Sequence, residues 1–97
     1  MNYIIEQTQS FAKWHRELRD LRAKVAIARR IIRAEKGNLG DIKSVGECVS
    51  ELRIDVGTGY RVYFTLRGGL FVLLLAGGDK STQQADIQRA IKLAKEV

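Results

Sequence analysis

The apolar residues of this chain change period halfway along, and that change constrains the fold more than any other feature. In the first half Phe11, Trp14, Leu18, Leu21, Val25, Ala28 and Ile32 recur at three and four residues, the spacing of one helical face. From residue 51 the pattern alternates. Leu52, Ile54 and Val56 stand against Glu51, Arg53 and Asp55; then Tyr60, Val62, Phe64 and Leu66 stand against Arg61, Tyr63 and Thr65. Period two marks a strand with one face in a core. A chain that is helical early and stranded late falls in the α+β class, with helices laid on one face of an antiparallel sheet. The other face is then expected to stay free for polar residues.

Turn and cap residues divide the chain further. Asn2 to Thr8, with Tyr3, Ile4 and Ile5, reads as a short strand, and Ser10 as the cap of the first helix. Asp20 caps a second helix, so two helices are expected rather than one rod. Gly37-Asn38 ends the pair. Leu39 to Glu47 reads as an irregular loop. A turn centred on Thr58, within a residue or two of slip, would bring Arg53 near Tyr63 and Asp55 near Arg61. Gly68-Gly69 fits a two-residue hairpin, because both central positions of a type I′ turn need positive φ. Leu70 to Ala76 is apolar throughout, as in a strand covered on both faces. Gly77-Gly78-Asp79-Lys80 is expected to leave the sheet. Ser81 with Gln84 fits a capping box, and Ile87, Ala90, Ile91 and Ala94 form the stripe of a last helix. The predicted order is β-α-α-β-β-β-α in one domain, residues 1–97.

Composition excludes several classes. A chain of 97 residues is one domain. With 45% hydrophobic and 29% charged residues it is globular rather than disordered. One cysteine and one histidine make neither an internal disulfide nor a zinc site. Cys48 reads as a small core residue and His15 as a surface residue of the first helix, while Trp14, Phe11 and Phe64 read as core. The longest apolar run is too short to span a bilayer, and the first residues lack a signal-peptide pattern. A cytoplasmic protein with no membrane partner is expected. Gly77-Gly78 lacks the spacing of a phosphate loop and reads as a strand-end turn.

The net charge of +6 has a location. Between Lys13 and Lys36 stand Arg16, Arg19, Arg22, Lys24, Arg29, Arg30 and Arg33, opposed only by Glu17, Asp20 and Glu35, and this block carries the whole excess. Such a block suits a polyanion, although basic solvated helix faces are common. Arg53, Arg61 and Tyr63 add a second cluster on the polar strand face, with Lys80 just beyond the last strand. Arginine presents a planar fork that matches phosphate oxygens, and a tyrosine ring can stack on a base. The same alternation of charges also simply solubilises an exposed sheet.

Three segments, Glu51-Leu52-Arg53-Ile54-Asp55, Gly59-Tyr60-Arg61-Val62-Tyr63-Phe64 and Gly77-Gly78-Asp79-Lys80-Ser81-Thr82-Gln83, occur in this order with the Phe11-x-x-Trp14 start. Together they resemble the phage-derived addiction module killer proteins, a HigB-like group of the RelE/ParE toxin superfamily. The resemblance implies a RelE-like fold and a toxin of a type II toxin–antitoxin system. Its implied partners are a cognate antitoxin of helix-turn-helix type, the ribosome and mRNA. The implied activity is a metal-independent, cofactor-free endoribonuclease in which the ribose 2′-OH attacks the adjacent phosphorus. The ParE branch of the same fold blocks DNA gyrase instead, and an inactive nucleic-acid-binding relative is the third possibility. Carried over, Arg61 matches the arginine that contacts the scissile phosphate, and Arg53 the basic position on the preceding strand. Lys80 and Asp79 stand where relatives carry basic, aromatic or histidine residues, and Glu51 roughly where some carry a glutamate base. Many relatives have a histidine in the site; this chain has none there. Neighbouring guanidiniums favour the charged form of a carboxylate, which weakens it as a base. Tyr63, Arg16, Arg19, Arg22, Arg29, Arg30, Arg33 and Lys36 are the residues expected to bind RNA or the ribosome.

Overall fold

The computed structural model describes residues 2–97. Strand β1 (Ile4–Gln7) leads into helices α1 (Gln9–Glu17) and α2 (Leu21–Glu35). Strands β2 (Ile42–Gly46), β3 (Val49–Ile54), β4 (Tyr60–Arg67) and β5 (Phe71–Asp79) follow. A 3₁₀ turn (Lys80–Thr82) then opens α3 (Gln83–Glu96).

Local chemistry accounts for the helix ends. Thr8, not Ser10, caps α1, its hydroxyl accepting from the Phe11 amide at 3.1 Å. Asp20 caps α2 as expected, accepting from the Ala23 amide at 3.1 Å. The end of α2 is a Schellman motif: the Gly37 amide bonds Ala34 and the Asn38 amide bonds Arg33, with Gly37 at φ 98°. The expected capping box on α3 is absent. Asp79 instead caps the 3₁₀ turn through the Ser81 amide, and the Thr82 hydroxyl donates to Asp86.

The sheet order is β1-β5-β4-β3-β2. All neighbours are antiparallel except β1, which joins β5 in parallel from Ile4↔Phe71 to Gln7↔Leu74. The sheet is therefore mixed rather than antiparallel throughout. The segment read as a loop holds β2, an edge strand with only Val45 partly buried, so no alternation betrays it. Gly77 and Gly78 do not leave the sheet; they pair with Val62 and Arg61. A side chain at Gly77 would meet the Trp14 ring at 2.3 Å, which is why the strand can run beneath it only as glycine.

Both faces of the sheet are covered. Phe11 and Ile27 from the helix pair pack on Leu52, Ile54, Val62, Phe64 and Leu74. On the other face Ala90 and Ile87 of α3 pack on Val49, Tyr63, Leu75 and Ala76. The face expected to be free is thus half occupied, because α3 folds back onto it. The buried side of α2 also differs from the predicted stripe: Ala23, Ile27 and Ala34 are inside, while Leu21, Val25 and Ile32 face solvent. The extended residues between Leu18 and Asp20 reset the helical phase, so a stripe counted through them points the wrong way on α2.

Candidate active site

The hairpin of β3 and β4 turns on Gly57 rather than Thr58, with Gly57 and Gly59 at positive φ. The register is therefore shifted by two residues from the expected one. Arg53 faces Arg61, and Glu51 faces Tyr63. Two arginines opposite each other repel. Glu51 offsets this from below: its Oε1 lies 3.6 Å from Arg61 Nε and 3.7 Å from Arg53 Nε. The Glu51 residue is 2% exposed, and its second oxygen accepts from Gln83 of α3 at 3.3 Å. A buried carboxylate thus holds two guanidiniums side by side.

These guanidiniums open into a polar cavity of about 190 Å³ lined by Asp41, Arg53, Asp55, Arg61 and Lys80. Arg61 is nearly buried and donates to the Tyr60 carbonyl at 3.1 Å, while its Nε has no hydrogen-bond partner. Arg53 is half-exposed and also meets Asp41 at 4.0 Å. Lys80 is exposed; its stem crosses Gly59, where a Cβ would come within 2.8 Å of it.

The other predicted residues are dispersed. Asp79 lies outside the cavity lining, and hydrogen bonds from Ser81 hold its carboxyl below the usual range. Tyr63 is fully buried under α3 and offers no ring face for stacking. Its hydroxyl has no hydrogen-bond partner, and burial, with Glu51 and Asp86 nearby, pushes it up to about 12. Arg16, Arg19, Arg22, Arg29, Arg33 and Lys36 are exposed on α1, α2 and the linkers at their ends, across the sheet from α3. Arg30 differs: its guanidinium donates to the carbonyls of Arg53, Leu39 and Asp41, pinning the loop that carries Asp41 to β3. His15 is half-buried, stacks on Phe11 and bonds the Lys24 carbonyl at 3.1 Å, tying α1 to α2. Cys48 is exposed in the β2–β3 turn at φ 66°, not in the core. Sequence reasoning missed Asp41 and Gln83 as members of the site; neither stands in a motif, and only the fold brings them to Arg53 and Glu51.

Among the described residues no three His, Cys, Asp or Glu side chains gather where a metal ion could sit, and no helix is long and apolar enough to cross a membrane.

No family model matches the chain. It is 52% identical over 97 residues to an uncharacterized protein of Haemophilus influenzae, the match covering 100% of this chain and 98% of that protein. The chain belongs to the family of that protein. Its fold matches that of E. coli toxin RelE, solved as a double arginine-to-alanine mutant in the free state, with a TM-score of 0.75. That match covers 95% of this chain and 97% of RelE at 15% identity, so the likeness is one of fold. The family thus carries a RelE-like α+β fold: five strands in a mixed sheet, a helix pair on one face and α3 on the other.

Proposed function

We propose that this chain is the toxin of a type II toxin–antitoxin system, of the HigB-like kind, and that it cleaves mRNA on the ribosome. The observation that carries this is the pair Arg53–Arg61, set side by side by buried Glu51 at an open cavity with Lys80. Three cations around one polar cavity are a binding geometry for a phosphodiester.

In the proposed reaction the ribose 2′-OH attacks the adjacent phosphorus. An O2′–P bond forms, the P–O5′ bond breaks, and the products are a 2′,3′-cyclic phosphate and a free 5′-OH. Negative charge grows on the non-bridging oxygens at the transition state. Arg61, held in place on a central strand, stabilises that charge, and Arg53 and Lys80 complete the cationic ring. Glu51 is not the base in this scheme: it is buried between the guanidiniums and positions them. Asp41 and Asp55 are the carboxylates that line the cavity; the proton from the 2′-OH passes to one of them or to water, and the departing O5′ takes up a proton from water to become the 5′-OH.

The test is a cell-free translation reaction with purified, partner-free protein, with mRNA ends mapped by primer extension. New ends within translated codons, dependent on ribosomes, are expected. Arg61→Ala should lower the cleavage rate by about 10²–10³-fold, the usual cost of removing one transition-state donor. Arrested translation with intact mRNA would refute the nuclease reading and direct attention to a blocked target such as gyrase.

A further inference from the structure

Three aliphatic side chains of α2 are more exposed than packing on a sheet requires: Leu21 at 70%, Val25 at 43% and Ile32 at 51%. Their spacing of four and seven places them on one stripe, about 16 Å long, with Ala28 between Val25 and Ile32. The stripe points away from the sheet, since Ala23, Ile27 and Ala34 of the same helix are the buried ones. Beside it runs an open groove of about 430 Å³, lined by Leu21, Arg22, Val25, Ala26 and Arg29 and, across from the helix, by Val56. Arg22, Arg29 and Arg33 follow one another along the same flank of the stripe, all exposed.

The pattern selects its occupant. RNA satisfies the arginines but offers no apolar counterpart to Leu21, Val25 and Ile32. A second copy of this chain offers the same stripe, and the only acid on its α2 is Glu35. A helix with aliphatic residues at three- and four-residue spacing, bordered by Asp and Glu, satisfies both halves at once. We infer that α2 is the docking surface for an acidic amphipathic helix of a partner protein, its aliphatic face on Leu21, Val25 and Ile32 and its carboxylates toward Arg22, Arg29 and Arg33. The inference does not rest on the nuclease reading, because the Arg61 cavity lies on the other face of the sheet.

The experiment places photoreactive benzoylphenylalanine at Val25, or at Lys43 on β2 as a control, in the full chain made in its native cells. After illumination the cross-linked peptide is sequenced by mass spectrometry. The expected product, from position 25 and not from 43, is a segment of another protein in which acidic residues border an aliphatic three–four repeat. A synthetic copy of that segment should bind the wild-type chain; Leu21→Ser and Val25→Ser should each weaken it about tenfold, and Arg61→Ala should leave it unchanged. A cross-link to RNA, to a second copy, to a segment without an acidic row, or to nothing above the Lys43 background overturns the inference. Should either serine variant unfold, the charge reversals Arg22→Glu and Arg29→Glu supply the same comparison at exposed positions. Leu21→Ser and Val25→Ser alter none of the residues expected to bind RNA, so partner-free protein carrying either should still cleave mRNA, and the two readings fail separately.

Discussion

At the scale of single residues, Glu51 and Tyr63 face each other across β3 and β4, and each is a buried polar group in a different condition. Glu51 is paired with two arginines and a glutamine; the Tyr63 hydroxyl is paired with nothing. Glu51→Gln keeps the shape and removes the charge that offsets Arg61 against Arg53. It should cost about 2–3 kcal/mol, less than a fully buried pair because Arg53 is partly solvated, as read by urea denaturation. Tyr63→Phe removes a hydroxyl that gains nothing from the fold, so stability should stay within about 1 kcal/mol of wild type or rise. The same hydroxyl gives a pH dependence. Its pKa rises from the ordinary 10.0 to about 12 in the fold, so between these values the folded chain keeps a proton that the unfolded chain has released. Titration of this group therefore costs the fold nothing below pH 10, and stability falls as pH rises toward about 12. Denaturation across that window should show a shallower loss for Tyr63→Phe than for wild type.

At the scale of elements, Asp20 joins two packing decisions. One carboxylate oxygen caps α2, and the other accepts from the Tyr60 hydroxyl at 3.2 Å, fixing the start of β4 against the helix pair. Asp20→Ala should lower stability by about 1–2 kcal/mol, and Asp20→Asn should restore most of it, in matched guanidinium melts. This cap was legible in the sequence, as were the Gly68-Gly69 hairpin and the alternation of β3 and β4. What was not legible has physical causes. Strand β2 lies at an edge and buries almost nothing, so its residues carry no pattern. The inner face of α2 does not continue the stripe counted from α1, because the extended residues between the helices shift the phase. Glu51 was legible as a polar-face residue and not as a buried one, because nothing in β3 announces that α3 returns over that face. The alternation places Arg53 on β3 and Arg61 on β4, but their mutual facing, and the acid beneath them, required the observed register.

At the scale of the whole molecule, the charge of +6 is exposed mainly on the helix pair, while the cavity draws on Arg53, Arg61 and Lys80 across the sheet. Binding of a short single-stranded RNA should weaken steeply with salt, and Arg61→Ala should reduce the slope of log K against log salt by about 0.7, one phosphate contact. Fluorescence anisotropy at several salt concentrations measures both. The parallel pairing of β1 with β5 has a consequence for how such a chain comes into being. Thr8 waits for Leu75, 67 residues later, before its hydroxyl finds its acceptor. At about 5–20 residues per second of synthesis that interval lasts seconds. The helix pair can form during it, but the sheet cannot close, and Gln83, which steadies Glu51, comes later still. A chain cut short by a premature stop before β5 would carry both arginines but neither Lys80 nor Gln83, so the cavity is complete only once β5 and the start of α3 have been made.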